Sequence, residues 1–128
     1  MENFYLLVGL GSLLIVVLAI NVSRLRYKER IAHGDRENKK LRNAIIAHSN
    51  AIENLIPFCL ITFVLISQNT ATITVQFLVI TFIIARLIHA IGINMFVFRA
   101  WQISSGISYL LIIFSSCLIL YNLAASNA

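Results

Sequence analysis

The chain has 128 residues, of which 59% are hydrophobic and only 12% are charged, and its mean hydropathy is +0.88. Soluble domains carry about 25% charged residues, so a soluble domain of this length would need a more polar surface. The formal net charge of +5 does not indicate a nucleic-acid-binding protein, because no polar segment is long enough to fold as a separate module. The composition indicates an integral membrane protein.

Four long apolar segments follow one another along the chain. A transmembrane helix needs about 20 mostly apolar residues to cross a hydrocarbon core of about 30 Å. The predicted spans are residues 4–22, 42–67, 72–92 and 103–123. The first span is too long for a signal peptide and lacks a basic start, so we expect it to be retained. Residues 1–128 are therefore predicted to form a single membrane domain, an all-α bundle of four transmembrane helices.

The basic residues are distributed unequally between the predicted loops. Eight of the ten Lys and Arg lie in the segment from Arg24 to Arg42, and this segment joins the first two spans. Arg99 lies in the loop before the fourth span. Residues 67–72 and both termini carry none. Because cytoplasmic loops are enriched in Lys and Arg, both basic loops are predicted to be cytoplasmic, where they also meet anionic lipid headgroups.

The two cysteines, Cys59 and Cys117, both fall inside apolar spans. They are predicted to be small buried hydrophobic residues, not a disulfide pair. No spacing of metal ligands recurs in the chain, so no metal site is predicted.

The second span carries polar side chains in the stretch AHSNAIEN, residues 47–54. On a helical wheel at 100° per residue, five residues fall within about a third of the circumference. They are Asn43, Asn50, Glu53, Asn54 and Pro57. Such a stripe cannot face lipid, so we expect it to face other helices or a ligand.

The third span carries the complementary charge, Arg86, with His89 on the same face three residues later. Glu53 is the only acidic residue within a span, so Glu53 and Arg86 are predicted to pair, directly or through a bound ligand. One interpretation is a buried ion pair that fixes helix register. The favoured one is a wet cavity open to the cytoplasm, because Asn50, Asn54 and His89 accompany the pair. A proton pathway is less well supported, since the first and fourth spans contain no ionisable continuation.

Several stretches together resemble the MAPEG family, the membrane-associated proteins in eicosanoid and glutathione metabolism. Residues 47–58, AHSNAIENLIPF, resemble the family signature A-H-x-N-x-x-E-x-x-x-P, and RLIHAIGI, residues 86–93, resembles R-x-x-H-A-x-G of the third helix. NVSRLR resembles the cytoplasmic exit of the first helix, and GDREN resembles the G-D-G-x-N turn of the small bacterial members. The resemblance covers essentially the whole chain.

The resemblance implies a homotrimer in a bacterial inner membrane, with glutathione between neighbouring subunits near the cytoplasmic side. It implies glutathione transferase or peroxidase activity on a lipophilic substrate. The residues that would line the glutathione pocket are Arg24, Asn50, Glu53, Arg86 and His89. Glu53 would accept the amino group of glutathione, and the arginines would bind its carboxylates. Arg99 would be catalytic, stabilising the glutathione thiolate.

The chain departs from the family pattern at three positions. Active members often carry arginine where this chain has Asn43 and Ile46, and many carry tyrosine where it has Ile93. An alternative prediction is therefore a non-catalytic membrane protein. Its cluster of Glu53 and Arg86 would then serve helix packing or bind another small ligand.

Overall fold

A computed structural model describes residues 1–126, which fold into four α-helices with no strand among them. The helices are α1 (Glu2–Glu29), α2 (Lys39–Ser67), α3 (Thr72–Asn94) and α4 (Phe98–Ser126). All four are long and apolar enough to cross a membrane. The predicted all-α architecture of four transmembrane helices is confirmed.

The helices extend beyond the apolar runs that predicted them, because hydropathy marks only the part inside the hydrocarbon. α1 continues past the predicted end at Val22 as far as Glu29, where Arg30 adopts a left-handed conformation (φ 55°) and ends the helix. α2 begins three residues before the predicted start, since the Asn38 side chain caps it by accepting a hydrogen bond from the backbone N–H of Leu41 (3.0 Å).

The loop between α1 and α2 turns at Gly34, where a turn was predicted (φ 65°). Arg36 and Glu37 are also left-handed there, with φ of 44° and 63°. The side chain of Asp35 accepts hydrogen bonds from the Arg42 guanidinium and from the backbone N–H of Glu37 (3.1 Å). These bonds lower the pKa of Asp35 below its ordinary value, and the bond from Arg42 has the larger effect.

The helices run alternately up and down, joined by short loops. Near one end of the bundle the side chain of Asn3 donates to the carbonyl of Thr72 (3.3 Å), and Asn122 donates to Gln68 and Thr70 (both 3.2 Å). The basic loop between α1 and α2 lies at the other end. By the positive-inside rule that end is cytoplasmic.

α2 and α3 form the centre of the bundle. α1 and α4 each pack against both central helices, on opposite sides, and within residues 1–126 no Cα atom of α1 lies within 8 Å of one in α4. In the non-cytoplasmic half the rings of Phe58 and Phe82 stack with centroids 3.9 Å apart. This arrangement leaves the outer side of the groove between α1 and α3 uncovered by the fourth helix.

Small residues let the helices approach closely in the cytoplasmic half. Ala47, Ala51 and Ala90 are buried there in one cluster with Leu18 of α1. A Cβ atom at Gly92 of α3 would lie only 2.9 Å from the backbone nitrogen of Trp101 in α4. Close packing of small residues is a common device in membrane helix bundles, and here it brings α1, α2 and α3 together around the polar residues.

Both cysteines are free, as expected. Cys59 is partly buried, but Cys117 is exposed. The prediction that both are buried is therefore wrong for Cys117. An apolar residue of a membrane helix can face lipid as readily as the core, and hydropathy does not distinguish the two.

Candidate functional site

Arg86 lies at the centre of the bundle and is only 3% exposed. Its Nη1 donates to the Oδ1 of Asn50 on α2 (2.8 Å), and its Cζ lies 5.9 Å from the ring centroid of Phe82. Its Nε and Nη2 are buried and make no hydrogen bond within residues 1–126. Because an unpaired charge in a membrane is costly, two unsatisfied donors on one guanidinium are an unusual feature.

Asn50 and Asn54 form a small amide network beside this guanidinium. Nδ2 of Asn54 donates to the backbone carbonyl of Asn50 (2.9 Å) and, at longer range, to its Oδ1 (3.3 Å). Oδ1 of Asn50 therefore accepts from both Asn54 and Arg86. This part of the predicted polar stripe does face the helices, and Asn54 is only 5% exposed.

Glu53 lies on the outside of the helix bundle. Its side chain is exposed, and the ion pair found among residues 1–126 joins Arg42 and Asp35 instead. The predicted direct pair of Glu53 with Arg86 is therefore wrong within one chain. Three residues of α-helix turn by about 300°, which leaves Glu53 about 60° around the helix from Asn50. That offset brings the Glu53 side chain to the surface, while Asn50 meets Arg86 inside. Pairing through a bound ligand stays a prediction.

The exposed residues of α2 beyond Arg42 form one narrow stripe. They are Ile46, Ser49, Glu53, Ile56, Leu60, Phe63 and Ser67, at alternating spacings of three and four. This heptad spacing is typical of a seam where one helix packs against another. The stripe is mostly apolar and has the Glu53 carboxylate in its middle. A carboxylate facing lipid at the helix centre costs about 2.5–3.5 kcal/mol on insertion scales.

His89 is buried beside Arg86 on the inner face of α3, and 3% of its surface is exposed. Its ring centroid is 6.4 Å from that of Trp101 in α4, and its side chain makes no hydrogen bond to the described residues. The structure thus places Asn50 and His89 beside Arg86 in the interior of the bundle. That these residues line a glutathione pocket stays a prediction.

Arg24 is exposed near the cytoplasmic end of α1. Its Nη2 donates to the Oδ1 of Asn21 (3.3 Å), whose Nδ2 donates to the Oδ1 of Asn94 on α3 (3.1 Å). The sequence analysis did not single out this amide bridge. Two asparagines at matching depths of neighbouring spans were a usable signal, since amides in membrane helices tend to bond across helices.

Arg99 lies in the first turn of α4, whereas it was predicted to lie in the loop before that helix. The loop consists only of residues 95–97. The exposed guanidinium is thus next to a helix N-terminus, whose free N–H groups carry partial positive charge. Both features make this region favourable for an anion.

The three departures from the family pattern lie together at the cytoplasmic end. Nδ2 of Asn43 donates to the backbone carbonyl of Ile93 (2.9 Å), which joins α2 to α3. These two residues, with Ile46 and Trp101, line a recess of about 160 Å³. Where active relatives of the resembled family carry basic side chains, this chain has a mostly apolar recess.

Comparison with known proteins gives one family. The sequence model of the MAPEG family matches residues 4–125. Inner membrane protein YecN of Escherichia coli K12 is 35% identical over 100 residues, which cover 77% of this chain and 74% of that protein. The protein of the same name from Escherichia coli O6:H1 matches equally well. Together with the four spanning helices, these matches identify an integral inner membrane protein. The chain belongs to the MAPEG family.

Proposed function

We propose that the protein is a homotrimeric, glutathione-dependent transferase or peroxidase that acts on lipophilic molecules at the cytoplasmic side of the membrane. The observation that carries the proposal is the position of Glu53. Its carboxylate is exposed in the middle of a transmembrane helix, on the heptad stripe and one turn from the amide network of Asn50.

The trimer accounts for the stripe on α2. A second copy of the chain would cover Ile56, Leu60 and Phe63, which are 56%, 64% and 50% exposed, and would remove Glu53 from lipid. Heptad spacing suits helix packing around a symmetry axis. Family membership supports the same assembly.

The side chains near this face match the chemistry of glutathione. Glutathione has one ammonium group, two carboxylates and two amides, and Glu53, Arg24 and Asn50 offer a carboxylate, a guanidinium and an amide. Leu18 packs in the same cluster as Ala47 and Ala51, so Arg24 lies roughly 15 Å nearer the cytoplasm than Glu53 at 1.5 Å per residue. An extended tripeptide spans about 10 Å, and the long side chain of Arg24 can close the remainder.

Arg86 and His89 support this pocket from the inside in our proposal. Both are 3% exposed, so they form its inner wall. Arg86 fixes the orientation of the Asn50 amide through the 2.8 Å hydrogen bond. The ligand's carboxylates would be bound mainly by exposed arginines.

Arg99 is the proposed catalytic residue. A thiol has a pKa of about 8.5 and reacts as its thiolate, so a cation beside it increases the reactive fraction at neutral pH. Arg99 supplies that charge at the N-terminus of α4, where the helix dipole acts in the same direction. Glutathione supplies the nucleophilic sulfur for conjugation or peroxide reduction.

The alternative is a membrane protein without catalysis. One observation favours it: the Asn43 side chain donates a hydrogen bond to the Ile93 carbonyl and so joins α2 to α3. Active relatives often carry arginine at this position. In that case the network of Asn50, Asn54 and Arg86 would fix the packing of α2 on α3.

Turnover in liposomes distinguishes the two. We expect the reconstituted protein to conjugate glutathione to a lipophilic electrophile or to reduce a lipid hydroperoxide. Arg99→Ala should reduce kcat at least tenfold, whereas Lys28→Ala, which removes an exposed cation at the end of α1, should not. Absence of turnover in a folded wild type with both classes of substrate would favour the alternative.

A further inference from the structure

Three hydrogen bonds in series connect α3 to Arg24 at the cytoplasmic end of the bundle. Nδ2 of Asn94 donates to the backbone carbonyl of Ala90 (2.8 Å). Oδ1 of Asn94 accepts from Nδ2 of Asn21 on α1 (3.1 Å), and Oδ1 of Asn21 accepts from Nη2 of Arg24 (3.3 Å). We call this series of bonds the amide relay. It differs from an ordinary contact between helices because it ends on an exposed guanidinium.

The two ends of the amide relay fix the orientation of both amides. The Ala90 carbonyl can only accept a hydrogen bond, and the Arg24 guanidinium can only donate. Asn94 must therefore turn its nitrogen to Ala90 and its oxygen to Asn21, and Asn21 must turn its oxygen to Arg24. Hydrogen bonds in such a chain polarise one another, so the oxygen of Asn21 is a stronger acceptor for the arginine.

The bond to Asn21 also sets the direction of the Arg24 side chain. Because α1 runs towards the cytoplasm, Asn21 lies about 4.5 Å deeper in the membrane than Arg24, at 1.5 Å per residue. A long basic side chain near the end of a membrane helix ordinarily extends outwards to water and headgroups. Asn21 instead holds the guanidinium back along α1, towards the depth of Glu53.

This direction suits one end of glutathione in the pocket proposed above. With the ammonium group on Glu53, an extended ligand places its glycine carboxylate at the end nearer the cytoplasm. Arg24 uses one of its five N–H donors for Asn21 and makes no other hydrogen bond within residues 1–126. The remaining donors are available for the two oxygens of a carboxylate.

We propose that Asn21 and Asn94 are positioning residues, which hold Arg24 in place to bind the glycine carboxylate of glutathione. This inference rests on the proposed function, because it takes glutathione as the ligand on the face of Glu53. Holding the guanidinium in place before the ligand arrives removes part of the ordering cost of binding. The competing role is packing alone, in which the amide relay would only join α1 to α3.

The test is isothermal titration calorimetry of the detergent-solubilised protein with two probes, glutathione and its glycine monoethyl ester. We expect Arg24→Ala to weaken glutathione binding by about tenfold or more, the loss of a charge-assisted pair. Asn94→Ala should weaken it by about threefold to tenfold, which corresponds to the cost of ordering one long side chain. Asn21→Ala should have the same effect from the side of α1. All three variants should bind the ester as wild type does, because the ester lacks the carboxylate.

A second comparison separates positioning from packing. In the Arg24→Ala background, Asn94→Ala should cause no further loss of affinity, because the guanidinium that the amide relay holds is absent. The matched control is Asn122→Ala, which removes an interhelical amide bonded to Gln68 and Thr70 near the opposite end of the bundle. Both asparagine variants should lower the unfolding midpoint, but Asn122→Ala should bind glutathione as wild type does.

Steady-state kinetics provides a further readout that packing alone would not change. Asn94→Ala should raise KM for glutathione and leave kcat within about twofold of wild type, because the amide relay acts on binding and not on the sulfur. A fall in kcat at unchanged KM would overturn the inference.

The results that overturn this inference differ from those that overturn the proposed function. Asn21 and Asn94 have no positioning role if their alanine variants bind glutathione as tightly as wild type does. The same conclusion follows if Asn94→Ala weakens binding equally with and without Arg24. Both results leave glutathione binding itself intact. If wild type does not bind glutathione, the proposed function fails and this inference fails with it.

Discussion

The hydrogen bond between Asn50 and Arg86 should be the strongest single polar link between α2 and α3. Asn50→Ala removes the only acceptor that Arg86 has among residues 1–126. A hydrogen bond to a charged group contributes about 1.5–3 kcal/mol, while interhelical bonds in membranes average about 0.6 kcal/mol and reach about 1.7. The bond is short and partly buried, so we expect a loss of about 1.5 kcal/mol.

Asn54 limits the damage to this one bond. Its Nδ2 keeps the backbone carbonyl of Asn50 (2.9 Å) and loses only the weaker contact to Oδ1 (3.3 Å). Asn50→Asp should restore the stability lost in Asn50→Ala, because it places an anion beside the cation. Asn43→Ala removes a neutral bond between the same helices and serves as the matched control, with an expected loss of about 0.6 kcal/mol.

The assay is reversible unfolding in mixed detergent micelles, followed by the fluorescence of Trp101, which is the single tryptophan of the chain. A double-mutant cycle adds Arg86→Met to wild type and to Asn50→Ala. We expect a coupling energy of about 1.5 kcal/mol, since removing the guanidinium should cost less when its acceptor is already absent. Additive effects, with a coupling energy near zero, would refute the view that this hydrogen bond is the main polar link between α2 and α3.

Three further predictions concern packing and the cytoplasmic loop. Gly92→Ala should destabilise the protein by about 1–3 kcal/mol, because the new Cβ would lie 2.9 Å from the Trp101 backbone. Gly106→Ala should stabilise it by up to about 1 kcal/mol, because no atom lies within 4 Å of that Cβ. Equal effects of the two variants in the unfolding assay would contradict the packing described. Arg36→Gly should raise the unfolding midpoint, because glycine tolerates a φ of 44° better than arginine does; a lowered midpoint would count against strain at this turn. Because folding lowers the pKa of Asp35, the ionised carboxylate stabilises the folded protein at any pH above the unfolded pKa of about 3.9. This stabilisation is lost as the pH falls through the pKa of the folded protein. The midpoint of wild type relative to Asp35→Asn should thus be constant near neutral pH and fall below about pH 4, and a flat difference in acid would show that Asp35 gains nothing on folding.

The fold was predictable because its signals are strong and local. Long apolar runs fix the number of helices, and the concentration of basic residues from Arg24 to Arg42 fixes their orientation. Helix ends were less predictable, since caps such as Asn38 and the left-handed Arg30 act outside the hydrocarbon. Hydropathy carries no information about them, and α4 begins five residues before the predicted start for the same reason.

The presence of an interior polar cluster on α2 and α3 was predictable, but the arrangement of its residues was not. Wheel geometry places Asn50 and Glu53 on one broad face, but it does not say which of them meets Arg86. The packing of α2 against α3 decides this: Asn50 points inward to Arg86, while Glu53 points outward along the heptad stripe. The free edge of Arg86 and the groove beside it depend on how three helices meet, which no single helix reveals.

The most direct test of the account is the thermal stability of the detergent-solubilised protein with and without millimolar glutathione, in wild type, Glu53→Gln and Ser67→Ala. Ser67 lies on the same exposed stripe at the far end of α2 and serves as the control. We predict that glutathione raises the melting temperature of wild type and Ser67→Ala by several degrees and leaves Glu53→Gln unchanged, because the variant lacks the carboxylate that binds the ligand's ammonium group. An absent shift in wild type, or an equal shift in Glu53→Gln, would contradict the proposal that this face binds glutathione.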